Sequence, residues 1–361
     1  MTERVFNFAA GPSVLPESVL KQAGNEIMNY QGTGMSVMEM SHRSPMFQKI
    51  FDHTKQQFIE LMHVPDTHEV LFLQGGGSTQ FSAVPLNFIS ATGRADYAVT
   101  GNFSGIAAKE ARKYGEIHLA YDGTEEGFTR IPQQSELDLD PGASYFHYCA
   151  NNTIYGTEWQ YVPETGNVPL VCDMSSNITS RAVDISRYAL IYAGAQKNMA
   201  PAGVTVVVIR KDMAGHQLPI TPLMMNYETE IKKDSMYNTP PCWQIYMLGL
   251  TMDWLAEQGG VEGMEKKKHA KAQLLYDALE SSTVFHLHAA KDSRSDMNVT
   301  FRTGDEELDK KFVMQAAELG MVNLKGHRLT GGMRASIYNA MPLEGVEMLR
   351  DFIIQFDKEN K

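Results

Sequence analysis

Apolar and polar positions alternate along this chain in two rhythms. Short, continuous apolar runs recur at 69–73, 97–100, 117–120, 144–149, 169–172, 188–193 and 203–210, each of the length and β-branched or aromatic content of a buried strand. Between them lie stretches with apolar residues three and four positions apart, the spacing of one helix face. One runs from 16 to 30 with Val19, Leu20, Ala23 and Ile27 on a side; others span 45–62, the residues up to 86 and those up to 114. Strands alternating with helices predict a parallel sheet with helices on both faces. The stretch 215–241 breaks the rhythm and holds Tyr237-Asn238-Thr239-Pro240-Pro241, which cannot be regular helix. Helices are then expected at 242–258 and 260–279, a strand at 297–302, a helix at 305–319, a strand at 332–338 and a helix at 343–356. That succession reads as a smaller α/β layer with its own core. The expected division is a large domain over 16–258 and a small domain made of 1–15 with 259–361.

Ligands of open α/β sheets bind beyond the carboxyl ends of the strands. The Gly75-Gly76-Gly77-Ser78 turn, Phe103, Thr153, Asp173 and Lys197 each follow an expected strand, so they should share one edge of one sheet. The glycine turn leads into a helix, where free backbone N–H groups and the positive end of the helix dipole suit a phosphate. It matches neither G-x-G-x-x-G nor the P-loop pattern. Each feature has a plainer reading on its own: the turn as a tight turn, Lys197 as a solvated cation at a strand end, His42-Arg43 as a surface pair. Together, a lysine, a carboxylate, a hydroxyl, an aromatic ring and a phosphate cradle are the parts needed to hold pyridoxal 5′-phosphate. The lysine amine condenses with its aldehyde, the carboxylate pairs with the ring nitrogen, and a flat side chain stacks on the ring.

Charge and composition narrow the classes. With 32 Lys and Arg against 43 Asp and Glu the net charge is −11, which disfavours general nucleic-acid binding. An anionic substrate would then need a local cationic cluster. The mean hydropathy of −0.29 and the lack of any apolar run of spanning length point to a soluble protein with no membrane partner. Three cysteines, Cys149, Cys172 and Cys242, are too few for a disulfide framework, and a reducing, cytoplasmic compartment is expected. The histidines show no spacing suited to a metal site, and the 22 methionines read as core filler.

Six segments in order carry a resemblance: Phe6-Asn7-Phe8-Ala9-Ala10-Gly11-Pro12, Met40-Ser41-His42-Arg43-Ser44, Gln74-Gly75-Gly76-Gly77-Ser78, Ala195-Gln196-Lys197-Asn198, Tyr237-Asn238-Thr239-Pro240-Pro241 and Gly331-Gly332-Met333-Arg334-Ala335-Ser336. At this spacing the chain resembles, over essentially its whole length, the phosphoserine aminotransferase family, fold-type I pyridoxal-phosphate enzymes of the class V group. The resemblance implies that Lys197 is the Schiff-base lysine and Asp173 the partner of the pyridine nitrogen. It puts Thr153 at the ring edge, and Gly77 and Ser78 on the cofactor phosphate with Gln196 beside it. Asn238 and Thr239 would complete the phosphate site from a neighbouring subunit, which implies a homodimer with shared active sites. Arg334 matches the arginine for the substrate α-carboxylate. His42, Arg43 and His327 match the group that grips the distal phosphate or the glutamate side chain. The implied reaction moves the amino group of L-glutamate to 3-phosphohydroxypyruvate, giving O-phosphoserine and 2-oxoglutarate in serine biosynthesis. A second action on a phosphohydroxythreonine precursor in pyridoxine biosynthesis is also implied. One position departs from the family: the ring over the cofactor is Phe103 where a tryptophan is usual.

Two other classes compete. Another class V enzyme, such as an alanine–glyoxylate aminotransferase, would leave the cations at 42, 43 and 327 without a purpose, and a cysteine desulfurase would need a nucleophilic cysteine later in the chain than Cys242. A non-catalytic pyridoxal-phosphate-binding protein would keep the phosphate turn but need neither Lys197 nor Arg334.

Overall fold

Seven of the apolar runs form one sheet in the computed structural model, which describes residues 4–361. In chain order its strands are β1 (His68–Leu73), β2 (Arg94–Val99), β3 (Glu116–Asp122), β4 (Phe146–Cys149), β5 (Leu170–Asp173), β6 (Leu190–Gly194) and β7 (Thr205–Arg210). Their order across the sheet is β1-β7-β6-β5-β4-β2-β3. The pairs β6·β5, β5·β4, β4·β2 and β2·β3 are parallel. β7 runs antiparallel to both of its neighbours. The link 195–204 between β6 and β7 is too short for the helical crossover that a parallel return requires, so the chain turns straight back. Lys197 stands in that link.

Side chains alternate across the sheet. Phe72, Tyr148, Cys172, Ile191 and Val208 face a core shared with the helices Pro45–Leu61 and Cys242–Glu257. Leu71, Tyr97, Val171, Tyr192 and Val207 face the opposite core, closed by the helices Gly76–Phe88 and Asn102–Ala111. Both faces are therefore covered, as the continuous apolar runs require.

A third core gathers Phe285, Phe301, Phe312, Met333, Ile337, Phe352 and Phe356 around a three-stranded antiparallel sheet of His286–Leu287, Asn298–Arg302 and Met333–Ser336. Phe8 and Val14 from the N-terminal arm belong to this core, and the arm pairs in parallel with Met321–Val322. The helix Gly260–Glu280 lies between the second layer and the first. Its buried Lys271 donates to the carbonyls of Tyr338 (2.8 Å) and Met341 (3.0 Å).

The elements depart from expectation in a few places. The first helix is Glu17–Glu26 and stops short of residue 30. The chain there folds into a loop closed by the Gly34 N–H donating to Asn29 Oδ1 at 2.7 Å, with left-handed φ at Gln31, Gly32 and Gly34. The irregular stretch 215–241 contains a short helix, Tyr227–Lys232, capped by Asn226; six residues are too few to show a periodic signal. Among the described residues no helix is long and apolar enough to cross a membrane, and no three His, Cys, Asp or Glu side chains are grouped to hold a metal.

Candidate active site

Because β1, β2, β4, β5 and β6 run the same way, the segments after their carboxyl ends meet at one edge. There they line a cavity of about 290 Å³ whose walls include Gly77, Ser78, Phe103, Thr153, Asp173, Gln196, Lys197, His327 and Arg334. Nine residues singled out in the sequence are thus brought together.

The glycine turn after β1 takes left-handed φ at Gly75 (94°) and Gly76 (68°). A Cβ at Gly75 would sit 2.0 Å from Thr79 Oγ1, so the turn into the helix admits only glycine there. The first amides of the helix Gly76–Phe88 have no intrahelical acceptor, and Gly77 and Ser78 carry them at the cavity wall. This is an anion site by construction.

Lys197 lines the cavity between the two layers' contributions. Its Nζ donates to Thr153 Oγ1 at 2.7 Å and lies 5.5 Å from the centroid of the Phe103 ring. Burial pushes the Lys197 pKa down from its ordinary value, with Arg334 adding to the effect; Asp173 and Cys149 oppose it. The backbone holds the lysine from below. Ser13 donates from its hydroxyl to the Lys197 carbonyl and from its N–H to the Gln196 carbonyl at 3.0 Å. Gly11 sits so close that a Cβ there would be 3.2 Å from Lys197 Cγ, at a φ of 142°.

Asp173 ends β5, buried and next to the lysine. Its Oδ1 accepts the Ser175 N–H at 2.8 Å. Burial raises its pKa; hydrogen bonding from Ser175 and the Lys197 charge pull the other way. Across the cavity, Arg334 comes from the strand Met333–Ser336 of the second layer. Its Nε is buried without a partner, and burial lowers its pKa. A buried guanidinium with an unfilled donor is prepared for an anion, since an unpaired buried donor is costly. His327 stands beside it, its pKa lowered by burial and by the Arg334 and Arg328 charges; a neutral imidazole there can still donate one N–H. Arg328 is exposed and lines a groove of about 530 Å³ along the helix Glu306–Glu318, which meets the cavity at His327.

These groups fit pyridoxal phosphate in kind: an amine, a carboxylate, a hydroxyl, a ring and a bare N-terminal turn converge on one space. Four expected site residues lie elsewhere on the same chain. His42 is buried and Arg43 exposed in the turn before the helix Pro45–Leu61. Asn238 and Thr239 are exposed, and the Thr239 carbonyl accepts from Gln74 Nε2 at 3.0 Å, beside the start of the glycine turn. None of the four lines the cavity of its own chain.

The sequence reading left out several wall residues. Cys149, Asn151 and Ser175 line the cavity. Tyr338 is packed close enough to perturb Arg334 and donates its hydroxyl to the Ala10 carbonyl at 2.7 Å. Each lies at or just after a strand end, a position that marks a wall without telling which side chains turn inward.

The family described as Aminotransferase class-V matches residues 5–349. A phosphoserine aminotransferase of Bacillus cereus is 49% identical over 359 residues, 99% of this chain and 100% of that protein. One from Laribacter hongkongensis is 49% identical over 357 residues, 99% of each. Among solved structures, the phosphoserine aminotransferase of Bacillus circulans subsp. alkalophilus superposes with a TM-score of 0.97 at 43% identity, covering 100% of both chains. The PLP-bound phosphoserine aminotransferase of Trichomonas vaginalis does so with a TM-score of 0.93 at 36% identity, covering 97% of this chain and 99% of that one. An alanine–glyoxylate aminotransferase of Nostoc shares the fold at 15% identity and a TM-score of 0.78.

Proposed function

The chain belongs to the class-V aminotransferases, and within them to the phosphoserine aminotransferase family, a pyridoxal-phosphate-dependent group; from that premise we propose that it moves an amino group between L-glutamate and 3-phosphohydroxypyruvate, making O-phosphoserine and 2-oxoglutarate reversibly for serine biosynthesis. The observation that carries this reading is the setting of Lys197, a desolvated amine 2.7 Å from Thr153 and in one cavity with the Arg334 guanidinium and the glycine turn. Bound there, pyridoxal phosphate supplies a carbonyl that exchanges amino groups and a ring that takes up the electron pair left on the substrate Cα.

The chain's own groups do the rest. Gly77 and Ser78 would hold the cofactor phosphate on backbone N–H groups, with Gln196 beside it. Asp173 would pair with the ring nitrogen, Thr153 would take the ring edge and Phe103 would stack on the ring. Lys197 would hold the cofactor until a donor amine takes its place, and its freed amine would then be the base for the Cα proton. Its lowered pKa suits that task near neutral pH. Arg334 binds the α-carboxylate as a bidentate fork.

The distal phosphate or γ-carboxylate needs donors and cations that this one chain leaves outside the cavity, the N–H of His327 excepted. We infer that Arg43 and His42, with Asn238 and Thr239, come from a second copy in a homodimer. Action on a phosphohydroxythreonine precursor in pyridoxine biosynthesis would use the same grip. The three cysteines are unpaired, in keeping with a cytoplasmic enzyme.

The test is the visible absorbance of the purified, cofactor-loaded protein on adding L-glutamate, O-phosphoserine or L-alanine in separate cuvettes. Conversion by the first two and not by alanine is expected. Conversion by alanine but not by O-phosphoserine would overturn the substrate assignment, and the absence of a visible band after loading would overturn the role of Lys197.

A further inference from the structure

Behind Asp173 the sheet buries polar rings that have no part in the steps above. Tyr192 of β6 is the register partner of Asp173 of β5. His147 of β4 pairs with Val171, two residues before Asp173 and on its face of the sheet. The Tyr192 phenol crosses over β5 to reach His147, and the two rings stack with centroids 5.9 Å apart. Tyr192 Oη and His147 Nε2 are 3.0 Å apart. Both side chains are fully buried, and His147 Nδ1 has no partner.

Protonation states follow from burial. The Tyr192 hydroxyl is pushed far above its ordinary pKa, first by desolvation and then by the Asp173 charge, so it keeps its proton. His147 is pushed down to about 3 by burial and stays neutral, with one N–H. One hydrogen therefore lies between Oη and Nε2, and it belongs to either ring. If it belongs to His147, the tyrosine proton is free to point at the neighbouring carboxylate. Burial raises the Asp173 pKa, and hydrogen bonding from Ser175, the Lys197 charge and, last, the Tyr192 side chain draw it down; the register sets Tyr192 directly beside Asp173 on the same face of the sheet.

We propose that His147, as the Nε2–H tautomer, turns the Tyr192 hydroxyl into a donor to the Asp173 carboxylate, and that this relay keeps Asp173 charged and aimed at the ring nitrogen of the cofactor. Tyr192 and His147 are positioning residues in this scheme and touch neither substrate nor cofactor. A carboxyl as deeply buried as Asp173 gains little from solvent, and the Ser175 N–H satisfies only one of its oxygens. Were it to take up a proton, it would lose the negative charge that favours a protonated ring nitrogen. The inference rests on the assignment of Asp173 to that nitrogen.

The experiment compares the binding of two cofactors to the cofactor-free protein: pyridoxal phosphate, and its analogue with carbon in place of the ring nitrogen. Tyr192→Phe removes one oxygen and keeps the ring against Phe81. It should weaken pyridoxal phosphate about tenfold while changing the carbon analogue less than about twofold. His147→Leu should do the same, the double variant should be no worse than either single one, and His147→Gln, which retains an N–H, should recover most of the loss. Equal weakening of both cofactors would reduce Tyr192 to a packing role and overturn the proposal, as would no weakening of either. Asp173→Asn is the control for the premise. If it discriminates between the two cofactors and Tyr192→Phe does not, only the relay fails. If Asp173→Asn does not discriminate, the assignment of Asp173 fails and the relay with it.

Discussion

Lys197 is the residue on which opposing fields meet. Desolvation and Arg334 drive its proton off, while Asp173 and Cys149 hold it on, and the balance leaves the amine below its usual pKa. Lys197→Ala should therefore abolish the visible cofactor band and lower the transamination rate by at least about a thousandfold; retention of full rate in single-turnover absorbance would refute its role. Phe103 sets a finer effect. Its ring is the aromatic surface 5.5 Å from the amine, smaller than the indole usual in the family. Phe103→Trp should tighten cofactor binding about fivefold, as the added stacking area is worth about 1 kcal/mol. Unchanged binding and an unchanged cofactor band would mean that Phe103 is not the stacking residue. At this scale the sequence was legible where a polar residue interrupts an apolar run at its carboxyl end, as at Asp173 and Lys197. It was silent on Tyr192 and His147, because both sit inside apolar runs and read as ordinary strand residues. Only the register that sets Tyr192 beside Asp173 and across from His147 gives them a task.

At the scale of elements, the long alternating runs were readable because burial on both faces leaves an unbroken apolar signature. The direction of β7 was not, since its apolar run reads the same in either direction and only the short link from β6 decides. The helix Tyr227–Lys232 was hidden by its length, and it carries a testable cost. Glu230 is 1% exposed, Oε1 has no partner, and burial raises its pKa to about 7. A carboxyl raised in the folded state contributes stability that is complete below its unfolded value near 4.5 and is lost as the pH rises through about 7. At pH 8 the native protein holds this carboxylate ionised in a poor site. Glu230→Gln should therefore stabilise by about 1–2 kcal/mol at pH 8, allowing for partial solvent screening, with much less gain at pH 5. Urea unfolding at the two pH values measures it, and an equal effect at both would show that Glu230 is not titrating as described. Lys271 makes the opposite case on the helix Gly260–Glu280. Desolvation pushes its pKa to about 7, but the carbonyls of Tyr338 and Met341 accept from it and are left without a donor if it is removed. Lys271→Met should destabilise by about 2–4 kcal/mol in the same assay. It should also raise the KM for glutamate, because the loop it holds follows the strand that carries Arg334.

The whole molecule poses a problem that one chain does not solve. Its cavity holds Lys197, Asp173 and Arg334, yet Asn238 and Thr239 lie exposed beside the start of the glycine turn, where the Thr239 carbonyl accepts from Gln74. A reciprocal contribution would place each copy's 238–239 segment in the site of the other, and two-fold symmetry would then build two equal sites. Such sharing can be separated from a site complete within one chain. Lys197→Ala removes the reacting amine of its own site but still lends an intact segment. A chain with Asn238→Ala and Thr239→Ala keeps Lys197 but spoils the site of its partner. Homodimers of either variant should be nearly inactive. When the two are co-expressed, random assembly makes about half the dimers mixed, and each mixed dimer has one site in which both the lysine and the borrowed segment are native. Activity per protomer should then recover to about a quarter of the unsubstituted protein. If the co-expressed mixture gives no more than the average of the two separate variants, Asn238 and Thr239 serve their own chain, and the shared-site arrangement is wrong.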